Sequence, residues 1–110
     1  MPLLSITVDH NVWSTQKDEI TEALPAIRQM LCEKLAVGQE FASLTITPVF
    51  GLPDQIKVNG DLRVLGKESR GPEVLQDVAE TLQTVLTKAA GTRASVRITT
   101  MNPATYMEKR

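Results

Sequence analysis

The chain opens on Leu3-Leu4-Ser5-Ile6-Thr7-Val8, a β-branched stretch in which apolar and polar side chains partly alternate, and this period of two predicts a strand. From Thr15 to Val37 the period changes. Ile20, Leu24, Ile27, Leu31 and Leu35 recur every three or four residues, forming the apolar stripe of a helix. Thr15 and Asp18 predict a capped start and Gly38 an end, while Pro25 predicts a kink, because its ring removes the N–H that would bond the Thr21 carbonyl. Ser43 to Val49 predicts a second strand, running into the turn-rich Phe50-Gly51-Leu52-Pro53. A third extended region covers Gln55 to Leu65, with a tight turn or bulge expected at Asn59-Gly60. Gly71-Pro72 opens a second helix, with proline at the first position where its missing N–H costs nothing. Val74, Val78, Leu82, Val85 and Ala89 supply its stripe, Gly91 ends it, and Ala94 to Thr100 predicts the last strand.

The order β-α-β-β-α-β carries an internal echo. Ser43-Leu44-Thr45-Ile46-Thr47-Pro48-Val49 aligns with Ser95-Val96-Arg97-Ile98-Thr99-Thr100-Met101, 52 residues later, and both close a β-α-β unit. The expectation is an α+β fold made of duplicated β-α-β units: a four-stranded mixed sheet with both helices on one face. No low-complexity linker divides the chain, so residues 1–110 read as one domain with pseudo-repeat halves of about 2–53 and 54–110.

Composition narrows the function. A chain of 110 residues should bury roughly 65% of its unfolded surface, enough for one core with little to spare, and oligomerisation would help it. Twelve basic against 13 acidic residues give a formal charge of −1, without the basic excess of a nucleic-acid protein. The single Cys32 cannot close an internal disulfide, and with one His and one Cys no structural zinc site can be built, so no metal is expected and a reduced, cytoplasmic protein fits best. No apolar run approaches the roughly 18 residues of a membrane span, and a basic-then-apolar leader pattern is not present. Gly51, Gly60 and Gly66 do not form a phosphate loop, so no nucleotide is indicated.

Met1-Pro2 directly before a strand is the feature with chemical content. Initiator methionine is normally trimmed before a small residue, and its removal would leave Pro2 as a free secondary amine. Such an amine titrates near pH 8, and an apolar pocket lowers that value, so it can serve as a general base.

With this feature the chain resembles the tautomerase superfamily. The resemblance rests on Pro2 at the start of the first strand, on the two β-α-β halves, and on Ser95-Val96-Arg97-Ile98, which is similar to the Ser-Val-Arg-Val strand of 4-oxalocrotonate tautomerase. Leu65-Gly66-Lys67 resembles the Ile-Gly-Lys of the macrophage migration inhibitory factor group, and Met101-Asn102 the Met-Asn after that group's last strand. The resemblance implies a homotrimer with active sites at subunit interfaces, no cofactor, and a small α-keto or enol carboxylic acid as substrate. Pro2 would remove a proton alpha to the carbonyl. Arg97 would bind the carboxylate through its two-pronged guanidinium, with Lys67, Leu65, Ser95, Phe50 and Tyr106 as further substrate-binding candidates.

Departures from the family pattern limit the carry-over. Thr45 stands where the first half would repeat Arg97, so the arginine site occurs once per chain. Asp9-His10-Asn11-Val12 lacks the second arginine of 4-oxalocrotonate tautomerase, leaving His10 or Lys67 to replace that anchor. The inhibitory-factor lysine after the first helix, and its last-strand Tyr and Asn, are also missing: Val37-Gly38-Gln39, Ser95 and Arg97 stand there. Two alternatives follow: a decarboxylase, hydratase or dehalogenase of the same superfamily with Pro2 as acid, and a non-catalytic ferredoxin-like binding module distinguished by sheet order. The amine chemistry predicts an intact mass for the native protein lower by one methionine. A retained Met1 would acylate the Pro2 nitrogen and end its basicity.

Overall fold

The structure is a computed structural model that describes residues 2–109. In chain order it contains β1 (Leu3–Asp9), α1 (His10–Leu35), a short 3-10 turn (Gln39–Phe41), β2 (Ser43–Val49), β3 (Val58–Leu65), α2 (Pro72–Ala90) and β4 (Ala94–Met101). The sheet order is β2-β1-β3-β4. β1 runs parallel to β2 and β3 parallel to β4, while β1 meets β3 antiparallel, with Ile6 opposite Gly60. Each β-α-β unit therefore keeps its two strands adjacent. A ferredoxin-like module is built from split units, with a foreign strand between them, so the observed order excludes it.

Side chains alternate across the sheet, and the even positions of the two central strands form the core. Leu4, Ile6, Val8, Val58, Leu62 and Val64 are buried against Ile20, Ile27, Leu31 and Leu35 of α1 and Val78, Leu82, Leu86 and Ala90 of α2. Each such valine, leucine or isoleucine contributes roughly 1.5–3 kcal/mol of burial. The opposite face carries Ser5, Thr45, Thr47, Arg63, Arg97 and Thr99, all exposed.

Four local expectations change. α1 begins at His10, because buried Asp9 caps it by accepting the Asn11 N–H at 3.0 Å; Thr15 instead donates its hydroxyl back to the Val12 carbonyl at 3.2 Å. The break in α1 falls at Gln16 (φ −118°, ψ 15°) and not at Pro25. Thr21 and Pro25 both lie on the exposed side of the helix, where water can satisfy the carbonyl that proline leaves unbonded. β3 begins at Val58, not at Gln55, and runs unbroken through Asn59-Gly60. Glycine eases the packing there: a Cβ on Gly60 would lie 3.2 Å from Cδ1 of the buried Leu86, which would have to shift by a few tenths of an ångström to admit it. Finally, α1 stops at Leu35, with Ala36 in the left-handed region (φ 55°), ahead of Gly38. α2 ends as expected, on Gly91 at φ 67°.

Among the described residues no helix is long and apolar enough to cross a membrane, and no cluster of His, Cys, Asp and Glu could hold a metal. Cys32 is a buried free thiol. Two substitutions test the packing. Gly60→Val overfills the α2–sheet contact and should destabilise by about 1–3 kcal/mol, while Ala36→Gly relieves the left-handed backbone and should stabilise by up to about 1 kcal/mol, both read from denaturant unfolding.

Candidate active site

The topology brings one set of chain ends together. β1 and β2 start where β3 and β4 finish, and at the same end α1 stops and α2 begins. Pro2 sits here, buried, with its carbonyl accepting the Ser43 N–H at 3.0 Å. That bond fixes it to the first residue of β2. Continuing the register from Leu3–Arg63 places Pro2 opposite Val64, and its parity is that of Leu4, Ile6 and Val8, on the helix-facing side.

Leu65 and Lys67 lie at this end as well. Leu65 is half-buried and pairs with Met101, and the Gly66 N–H donates to the Met101 carbonyl at 2.9 Å. A turn closed by the Arg70 N–H on the Lys67 carbonyl (3.0 Å) holds Lys67 exposed. Within the described residues it forms no ion pair. The tail beyond β4 also leaves from this end. Tyr106 is half-buried, its N–H bonds the Asn102 carbonyl at 3.0 Å, and its hydroxyl donates to Glu108 Oε2 at 3.0 Å.

Arg97 and Ser95 lie elsewhere, on the open face. They line a cavity of about 240 Å³ with Ser5, Thr7, Asn59 and Asp61. Asp61 is the register partner of both Ser5 and Arg97, yet no ion pair joins it to Arg97, and its Oδ1 is buried without a hydrogen-bond partner. From Pro2, Arg97 is three residues along the strands and two strands across, which puts their backbones on the order of 14 Å apart. They also face opposite sides of the sheet. A small carboxylic acid cannot touch both within one chain.

Phe50 lies at the far end of the sheet, 84% exposed, beyond the Asp9–Val49 pair. Its ring packs on His10 with centroids 4.3 Å apart. His10 is the first residue of α1, and its Nδ1 lies 3.9 Å from Asp9 Oδ1. Neither reaches Pro2 of the same chain. The fold thus gathers Pro2, Leu65, Lys67 and the Tyr106 tail at one end, sets Ser95 and Arg97 on the open face, and leaves Phe50 at the other end.

Two residues went unnoticed in the sequence. Arg70 is buried at 5% exposure, with its guanidinium on the Leu65 and Leu35 carbonyls, and Asp9 is buried at 5% as the cap of α1. A signal existed for Asp9, an N-cap residue type directly after a strand. Arg70, between Ser69 and Gly71-Pro72, resembles any loop cation.

No family model matches the chain, and no curated protein matches it in sequence. Solved structures do match over nearly its whole length. A macrophage migration inhibitory factor-like protein from Entamoeba histolytica superposes with a TM-score of 0.69 at 16% identity, over 98% of this chain and 95% of that one. An asymmetric trimer of fused 4-OT, wild type, gives 0.68 at 8% identity over 96% and 91%. Malonate semialdehyde decarboxylase, solved also as a proline-to-alanine variant at its first residue, gives 0.65 at 11% identity over 98% and 91%.

Proposed function

We propose that this chain, which has the fold of the tautomerase superfamily, is a cofactor-independent tautomerase acting on a small α-keto or enol carboxylic acid, with the Pro2 amine as general base. The observation that carries this reading is the placement of Pro2: buried, bonded through its carbonyl to the start of β2, and grouped with Leu65 and Lys67 at one end of the sheet. A general base has to be held still and kept from water, and a proline at a strand start, with no backbone freedom in φ, meets both conditions.

In the proposed step the nitrogen lone pair takes the proton alpha to the substrate carbonyl. The C–H electron pair forms the carbon–carbon double bond, and the carbonyl pair moves onto oxygen as an enolate. The proton then returns from the prolinium to the other end of the conjugated system. Developing charge on oxygen needs a cation or hydrogen-bond donors, usually the larger catalytic contribution. Lys67, exposed in the loop after β3 at the same end of the same chain, is the candidate. Arg97 of the same chain is out of reach, so the carboxylate anchor comes from a neighbouring copy, in a homotrimer with sites between subunits. Ser95 would accompany Arg97 from that neighbour, and the exposed Phe50 is available to wall the site from the same direction. Tyr106 belongs to the wall on the Pro2 side.

The acid-type alternative, decarboxylation or hydration with a protonated Pro2, draws support from the fold of malonate semialdehyde decarboxylase, described with both decarboxylase and hydratase activities. It requires a prolinium at neutral pH. The buried cation of Arg70 at this end opposes that state, which favours the base.

An ultraviolet assay of the trimmed protein with 2-hydroxymuconate and phenylenolpyruvate tests the proposal. Pro2→Ala should lower kcat/KM by about 10²–10⁴-fold, the range of a lost general base. Unchanged turnover in that variant would overturn the mechanism. Arg97→Ala should cost about 10²–10³-fold. If the site is shared, mixing Pro2→Ala and Arg97→Ala chains and allowing them to reassemble should restore activity above either parent, because some interfaces then pair an intact Pro2 with an intact Arg97. No recovery in the mixed assemblies would overturn the shared site.

A further inference from the structure

Beneath the Pro2 end of the sheet lies a buried cation without a counter-ion. Arg70 is 5% exposed, and it donates from Nη1 to the Leu65 carbonyl at 2.7 Å and from Nη2 to the Leu35 carbonyl at 3.3 Å. Both partners are neutral. Its Nε is buried with no hydrogen-bond partner, and among the described residues no carboxylate pairs with it. Burial lowers its pKa from the usual arginine value, yet a guanidinium remains charged throughout the physiological range. Charges in protein interiors are normally paired because desolvating one alone is costly. Capping two carbonyls would not by itself require a charge, since a neutral amide side chain donates as well.

The location of the charge suggests its use. The Leu65 carbonyl ends β3 one residue past Val64, the residue opposite Pro2, so the guanidinium lies on the order of 10 Å from the Pro2 nitrogen, about two strand spacings. Every other charged group at this end is at the surface: Arg63 on β3, Lys67 and Glu68 in the following loop, Glu33 and Lys34 on the last turn of α1, Glu40 before β2, Glu73 and Asp77 on α2, and Glu108 and Lys109 in the tail. Lys34 and Asp77 pair with each other. Solvent screens these groups, but not the buried guanidinium.

We propose that Arg70 is a positioning residue for the Pro2 site: it ties the Leu65–Lys67 corner to the end of α1, and its unneutralised charge keeps the Pro2 amine in the neutral form that can accept a proton. The inference rests on the reading of Pro2 as a free amine. The direction is fixed by electrostatics, since a nearby positive charge disfavours the ammonium and lowers its pKa. A unit charge about 10 Å away, through an effective dielectric near 20, lowers it by about one unit below the free-amine value of about 7.7–8.0.

The test titrates the amine itself, independently of turnover. In protein trimmed of Met1, the pH dependence of Pro2 acylation, followed by intact mass, reports its pKa in wild type, Arg70→Lys, Arg70→Gln and Arg70→Met. Arg70→Met and Arg70→Gln should raise the pKa by about one unit, while Arg70→Lys, which keeps the charge, should retain most of the wild-type value. An unchanged pKa in the neutral variants, folded by circular dichroism, would overturn the proposal. Wild type and Arg97→Ala, which removes the neighbour's cation, supply readings that do not depend on an Arg70 variant folding: the lowered pKa should persist in both at about 0.5 M salt, and a return to the free-amine value in either would assign the shift to the exposed Arg63 and Lys67 or to Arg97, overturning the role of Arg70. Failure of the tautomerase reading is separate: it appears as activity surviving Pro2→Ala, whatever the amine titration gives.

Discussion

Each β-α-β half leaves a sheet edge open, and the antiparallel pairing of β1 with β3 closes the two against each other, with Ile6 beside Gly60 and Val8 beside Val58 under both helices. Everything that positions the site follows from this pairing. It makes β1 and β3 the interior strands, buried on the helix side. Because it is antiparallel, the start of β1 meets the end of β3, so Pro2 lies beside the loop that carries Lys67 and Arg70. The two helices run in opposite directions across the same seam, which brings the last turn of α1 over the first turn of α2, and the Lys34–Asp77 pair joins them there. A parallel joint would have placed Pro2 at the far end, beside Lys57 and Val58.

Gly60 at the centre of the seam shows how far local reading of the sequence can go. Asn-Gly is a strong turn signal, and on local grounds the expectation of a bulge in β3 was sound. Both residues are instead paired on two sides, with Thr7 and Ile6 of β1 and with Ser95 and Val96 of β4, partners that no local window includes. The strands and helices themselves were legible from their periods of two and 3.6, and Ser43–Val49 was placed to the residue. The start of α1 was misplaced because Asp9 caps from within what looks like the strand, so the helix begins before its apolar stripe does. Pro25 was a correct rule met by an exception, since its helix face is open to water.

The candidate site was legible in a different way. Pro2, Lys67 and Arg97 attract attention as residue types with chemistry, but which of them meet depends on register. The pairing Ser5–Asp61–Arg97 puts the arginine on the open face and mid-strand, while Pro2 is at the strand end on the other side. Composition cannot supply that distance. It also cannot distinguish Arg70 from a solvated loop residue, since burial of a cation is determined by the two backbone carbonyls it caps, one at the end of α1 and one at the end of β3.

Two local rules are broken near one another, and their proximity carries an argument. Ala36 holds a left-handed backbone where glycine would be free of strain, and Leu35, its neighbour, offers its carbonyl to a buried arginine with no counter-ion. Other departures lie elsewhere, at Pro25 inside α1 and at Asp61, whose Oδ1 is buried without a partner, whereas Gly91 occupies the left-handed position after α2, Pro72 the first turn, and Pro48 an edge strand. Departures from local preference persist where the surrounding structure enforces them, and they concentrate at functional sites. Here the departures at Ala36 and Arg70 both fall at the end of the sheet that holds Pro2. The strained residue and the unpaired charge are separate costs in stability, of the order of 1 kcal/mol or more each, and a fold selected for stability alone would remove either by a single substitution. Their coincidence with the buried proline supports the proposed site by a criterion independent of any resemblance to known enzymes.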